Sequence, residues 1–192
     1  MKAVLTRGLE MALVAGLLLL LAPLILLIAL AIVIDSGWPV FFRSPRLGRD
    51  GKPFDLFYFR TMMPGVAAAE QRLTRVGRLL RDVSLDHVPQ LFNVLRGDMR
   101  IVGPRPMTPD EADLDDENYR RVLAVKPGMI SPAILRLGRT YNATDFATRA
   151  ALEKEHLDGR SAWRDLRLTG QSVRALLRSR GNIKKRGEPR DK

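Results

Sequence analysis

The chain contains no cysteine, which excludes a disulfide scaffold, a thiolate metal site and cysteine nucleophilic catalysis. Its two histidines, His87 and His156, are too few for a multi-histidine metal centre. Aromatic residues make up only 6% of the 192 residues, and no stacking platform or base-reading motif accompanies the 32 Lys and Arg. The net charge of +11 therefore does not point to a nucleic-acid partner. No internal repeat is present. Apolar residues still reach 46%, which excludes disorder throughout the chain.

Charge is missing altogether from Met11 to Ile34, a block rich in Leu, Ile, Val and Ala. That run exceeds the ~18 residues that mark a membrane helix, and it lacks the polar stripe of a buried core helix. It also exceeds the usual apolar stretch of a cleaved signal peptide, although Ala29-Leu30-Ala31 resembles a cleavage box. Pro23 sits at its middle and removes a backbone donor, which predicts a bend there. Lys2 and Arg7 precede the block; Arg43, Arg46, Arg49 and Lys52 follow it. The positive-inside tendency places both flanks on the cytoplasmic face. A re-entrant helix that turns at Pro23 satisfies both flanks, and a bent spanning helix is the alternative.

The expected division is a membrane-inserted helix over 1–36, a globular domain over 37–180 and a basic tail without fixed structure over 181–192. Val40-Phe41-Phe42 and Phe54–Phe59 read as two strands of a hairpin about Asp50-Gly51. Leu73, Val76, Leu79, Leu80 and Val83 repeat at helical spacing, beside a basic stripe of Arg72, Arg75, Arg78 and Arg81. Six acids between Asp110 and Glu117 read as an acidic helix start. Trp163, Leu166, Val173, Leu176 and Leu177 share one face of a basic helix, suited to a membrane interface or to packing on the domain.

The most informative stretch runs from Arg81 through Ser84-Leu85-Asp86-His87-Val88-Pro89-Gln90-Leu91 to Asn93-Val94-Leu95-Arg96-Gly97-Asp98-Met99, then Val102-Gly103-Pro104-Arg105-Pro106. Ser84 or Asp86 is expected to cap a helix that turns Leu91, Val94 and Leu95 inward and ends at Gly97. Asp86 would then lie where backbone donors favour negative charge and phosphate. Gly103-Pro104-Arg105-Pro106 is a stiff turn that fixes one guanidinium. A carboxylate among rigid cations suits attack on a diphosphate, with charge stabilisation for the departing phosphate. The same residues also read simply as a capped helix followed by a proline turn.

This stretch closely resembles the signature of the bacterial sugar transferases, the monotopic phosphoglycosyl transferases. Further matches are Phe41-Phe42, Arg46-x-Gly48, Gly51-Lys52-x-Phe54, Phe59-Arg60-Thr61-Met62 and Lys126-Pro127-Gly128. The resemblance covers roughly residues 38–140 and the preceding apolar block. It implies an α+β, predominantly helical fold: a re-entrant membrane helix with a small cytoplasmic catalytic domain, a β-hairpin and amphipathic interfacial helices. It also implies transfer of a sugar phosphate from a UDP-sugar, a nucleotide-sugar donor, to polyprenyl (undecaprenyl) phosphate through an aspartyl-phosphosugar intermediate. Such a step initiates membrane glycan assembly at the lipid bilayer of the bacterial inner membrane, with Mg²⁺ as cofactor. Asp86 matches the nucleophile and is the implied metal contact, and Arg81, Arg105, Arg139 and Lys52 are the implied phosphate contacts.

Three departures qualify the match. The family's catalytic Asp-Glu pair is here Asp86-His87. A histidine cation there would support negative charge on Asp86 and on phosphate, yet repel a metal. Ala22-Pro23 stands where related helices often have Ser-Pro, and Ser131-Pro132-Ala133-Ile134-Leu135-Arg136 follows the Pro-Gly element where many members continue with Thr-Gly. The alternative to an enzyme is a non-catalytic scaffold in a glycan-assembly complex. Nothing in the sequence specifies the sugar or an oligomeric state.

Overall fold

The computed structural model describes residues 2–65, 72–111 and 116–182, with side chains described for all of these except 2–6, 139 and 176–182. Asp113 and Asp115 of the acidic run, the tail beyond 182 and the Arg139 side chain lie outside the described residues. The chain is mostly helical, with two small two-stranded sheets.

Helix α1 runs from Lys2 to Ser36 with Pro23 inside it, and Gly37, at φ 77°, stops it. Its apolar span runs from Arg7 to Ser36. Leu19, Leu20, Leu26 and Leu27, on either side of the proline, are all more than 60% exposed. Val14, Leu18, Ile28 and Ile32, farther out on each limb, are buried in one core with Val40, Leu56, Phe59, Leu80, Leu91 and Val94. Both ends are tied to that domain. Arg7 donates to the Val94 carbonyl at 2.7 Å, and Glu10 accepts from the Ile101 amide at 2.7 Å. At the other end Asp35 accepts from the Val76 amide at 3.0 Å, and Arg60 donates to the Ser36 and Gly37 carbonyls. A straight helix of this length would reach ~50 Å.

Strands β1 (Phe41–Leu47) and β2 (Pro53–Phe59) form the hairpin, antiparallel, with Phe41 opposite Phe59. Asp50 and Gly51 both have positive φ, the conformation that residue pair favours at a tight turn. Helix α2 (Arg75–Asp82) is capped by Thr74, whose side chain accepts from the Gly77 amide. Helix α3 (Gln90–Arg96) buries Leu91 and Val94 and ends at Gly97, φ 87°. The expected Ser84 or Asp86 cap is not made. Ser84 is left-handed with no side-chain cap bond, Asp86 lies within a separate 3₁₀ turn, and Pro89 precedes α3. The chain needs that extra turn to swing from α2 into α3, so Asp86 is presented from a bend.

A parallel pair, β3 (Arg100–Val102) and β4 (Gly128–Ile130), was not foreseen, because three-residue strands carry too little alternation to read. Gly103 and Gly128 meet backbone to backbone there; a Cβ on Gly128 would collide with the Gly103 nitrogen. Helix α4 (Glu117–Leu123) starts at Asp116, which accepts from the Asn118 and Tyr119 amides, in keeping with an acidic helix start. Helices α5 (Pro132–Leu137), α6 (Phe146–Asp158) and α7 (Ala162–Asn182) complete the domain. On α7 Trp163, Leu166 and Val173 stay exposed, while the Leu176 and Leu177 side chains of the same expected face lie outside the described residues.

Candidate active site

The site begins where β2 ends. Thr61 accepts at its carbonyl from the Thr74 amide, and α2 passes so close that a Cβ on Gly77 would collide with that carbonyl. This approach brings Arg81 Nε within 3.0 Å of Thr61 Oγ1. The following 3₁₀ turn, Leu85–His87, presents Asp86, which is 8% exposed. His87 Nδ1 lies 2.9 Å from Asp86 Oδ1, and its ring meets Tyr58 edge-to-face at 5.3 Å. A carboxylate can only accept, so the ring nitrogen donates and fixes the carboxyl orientation. Burial pushes the Tyr58 phenol above its ordinary value, against the opposing charges of Arg46 and Arg105, so it stays neutral beside Asp86.

Arg105 arrives from the turn after β3. Its amide donates to Glu153 Oε1 at 3.2 Å, and its guanidinium lies 4.9 Å from the Tyr141 ring centroid. Glu153, on α6, is buried and also accepts from the Ser131 hydroxyl. Burial pushes its carboxyl up to about 7, against the lowering effect of those hydrogen bonds and of Arg105.

Asp86, His87, Arg81 and Arg105 share one cavity of about 900 Å³ with Arg46, Arg60 and Asn142. Among the described residues, Asp86 is the only carboxylate in its lining. Arg60 Nε and Nη1 and Arg46 Nε are buried without hydrogen-bond partners among the described residues. Buried guanidinium nitrogens of this kind lose water without replacement, so they favour an anion in the cavity. Phe41, Phe42, Met62 and Met63 form an apolar part of the wall beside the root of α1. A second cavity, about 280 Å³, shares Arg46, Tyr58, His87, Arg105 and Asn142 with the first and adds Gln90, Ser131 and Ile134. The stretch that departs from the family pattern therefore lines the site. Ser131 caps α5 by accepting from the Ile134 amide, and Pro132 takes its first turn.

Lys52 stands exposed at the hairpin turn, outside the lining of both cavities. Arg139 lies in the 3₁₀ turn Gly138–Ala143 beside Asn142, with its side chain outside the described residues. Sequence reasoning passed over Arg46, Arg60, Asn142 and Glu153 as site residues. Arg46 and Arg60 stood in matched family elements, which was an available signal; Asn142 and Glu153 carried none. Among the described residues no three carboxylates or histidines gather to hold a metal. Magnesium is often held through one or two carboxylates plus substrate phosphates, and Asp86 with a bound diphosphate meets that minimum.

The family profile described as bacterial sugar transferase matches residues 1–179. A UDP-glucose:undecaprenyl-phosphate glucose-1-phosphate transferase of Caulobacter vibrioides is 40% identical over 184 residues, covering 89% of this chain and 69% of that one. An undecaprenyl-phosphate glucose phosphotransferase of Komagataeibacter xylinus is 39% identical over 181 residues, 85% of this chain but only 34% of the relative. The exopolysaccharide production protein ExoY of Rhizobium meliloti is 34% identical over 188 residues, 86% of this chain and 82% of the relative.

Proposed function

Because this chain belongs to the bacterial sugar transferase family, we propose that it moves a sugar phosphate from a UDP-sugar to polyprenyl phosphate in two displacements at Asp86. One observation carries the reading: a single cavity beside the apolar helix gathers one carboxylate and four arginines. In the first step an Asp86 oxygen attacks the sugar-linked phosphorus, the bond to the bridging oxygen breaks, and UMP departs with that oxygen. In the second, a polyprenyl phosphate oxygen attacks the same phosphorus and releases Asp86, leaving the polyprenyl-diphosphate sugar.

His87 holds Oδ1, so Oδ2 is the oxygen oriented for attack. Arg46, Arg60, Arg81 and Arg105 take up the charge that develops on the phosphates. Mg²⁺, held by Asp86 together with the donor diphosphate, would supply further neutralisation of that diphosphate. The apolar wall of Phe41, Phe42, Met62 and Met63 suits the prenyl chain of the acceptor. Both ends of α1 are bonded to the one domain while its middle leucines are bare, which supports a helix that enters and leaves by one face. With basic residues on both flanks, that face is the cytoplasmic one.

The test exposes the purified, lipid-supplied protein to UDP-sugars, with UMP release and the mass of the Asp86 peptide as readouts. A phosphosugar adduct on Asp86 and its loss in Asp86→Asn are expected. Lipid-linked product formed at an unchanged pace by Asp86→Asn overturns the mechanism. No UMP from a folded wild-type sample favours the scaffold instead.

A further inference from the structure

A second cationic cavity, sharing no lining residue with the two at Asp86, lies on the side of the domain where α1 begins. Its volume is about 390 Å³, and five of its seven lining residues are Arg7, Arg49, Arg100, Lys126 and Arg160. None of the described residues lining it is a carboxylate. The five cations come from five separate places in the chain, so helical periodicity did not collect them. Three are fixed from behind. Glu10 lies 2.8 Å from Arg7 and 3.4 Å from Arg100; Arg160 pairs with Asp165 and donates to the Val102 carbonyl at 3.0 Å.

Lys126 has no carboxylate within ion-pair distance among the described residues, yet it is held near another cation. A Cβ built on Gly97 would lie 3.6 Å from Lys126 Nζ and 3.8 Å from Arg7 Nη2. Arg100 Nε is buried and, among the described residues, has no hydrogen-bond partner beyond that 3.4 Å ion-pair approach of Glu10. Like charges gathered in a concave, partly desolvated place repel one another unless an anion sits between them. Arg7 is also the first residue of the apolar span, with Leu9 and Leu13 exposed beside it. At the end of such a span the anion at hand is the phosphate of a lipid headgroup.

We propose that this cavity is a non-catalytic site for the phosphate of an anionic phospholipid headgroup, seated where α1 enters the bilayer. It does not depend on the transferase reading. Lys126 supplies its unbraced charge, and Arg49, paired with its exposed neighbour Asp50 at 3.4 Å, is its most exposed arginine, so they are the residues to change.

The full-length protein is compared in phosphatidylcholine vesicles with and without phosphatidylglycerol, and retained lipid is read by native mass spectrometry. Lys126→Gln and Arg49→Gln are each expected to lower phosphatidylglycerol retention about fivefold. Lys126→Arg should keep it, and UMP release in pure phosphatidylcholine should be unchanged. Arg78→Gln, an exposed charge on α2 outside the cavity, is the charge-matched control. Equal loss in Arg78→Gln means diffuse attraction to the membrane and overturns the site. Retention unchanged in Lys126→Gln also overturns it. If inorganic phosphate displaces the lipid from wild type as readily as phosphatidylglycerol does, the cavity takes free phosphate and the lipid assignment fails.

Discussion

Glu153 offers a quantitative check on how the Arg105 turn is held. Its carboxyl is buried, and one oxygen, Oε2, has no partner. Burial raises it from the ordinary 4.5 to about 7. A raised value means that the folded chain holds the proton more tightly than the unfolded one. The associated stability is full below pH 4.5, is lost as pH rises, and is gone above about 7. At ~1.4 kcal/mol per pH unit, the interval corresponds to about 3 kcal/mol. Glu153→Gln keeps an oxygen that accepts from Ser131 and the Arg105 amide, but it cannot ionise. The gap in stability between wild type and variant should therefore shift by about 3 kcal/mol across this window, on the order of 10 °C in Tm. Thermal unfolding in detergent, followed through the loss of helical circular dichroism, reads it. Other titrating groups contribute equally to both proteins and cancel. A gap that does not change with pH would show that burial does not perturb this carboxyl, and the account of the Arg105 anchor would fail.

Further outcomes concern the site and its scaffold. Arg105→Ala should lower UMP release about 10²–10³-fold, since it removes a phosphate-facing cation; a change under threefold, about 0.6 kcal/mol, contradicts its role. His87→Glu places a second acid beside Asp86 and should slow UMP release about tenfold or more; faster release would mean that histidine is not an adapted part of the site. Gly77→Ala should cost about 1–3 kcal/mol by driving α2 off the Thr61 carbonyl, with activity falling as Arg81 loses its 3.0 Å bond to Thr61. Asn93 is fully buried, accepts from the Phe57 amide and donates to the Asp55 carbonyl. Its replacement by Ala strands both groups, and unfolding should show a loss of about 3 kcal/mol.

Much of the local structure was legible. The charge-free block announced α1, Asp50-Gly51 announced the hairpin turn, and Gly97 announced the end of α3. The capping assignment went wrong because Ser84 and Asp86 are good capping residues by type. The left-handed turn at Ser84 and the 3₁₀ turn that follows it placed them outside α3. The apolar spacing of Trp163, Leu166 and Val173 on α7 was visible in the sequence as a pattern, while their exposure was not.

By itself the sequence determined the elements that near neighbours decide: an apolar helix, a tight turn, helix ends and an Asp-His pair followed by a proline. These follow from side-chain spacing and backbone preference within a few residues. Only the tertiary structure decided that Arg46, Arg60, Arg81 and Arg105, from four segments, face one carboxylate, and that Glu153 lies buried behind Arg105. Those meetings rest on the close backbone approaches at Gly77 and at Gly103 with Gly128. Contacts between distant segments leave no period along the chain, because packing selects them after the local elements have formed.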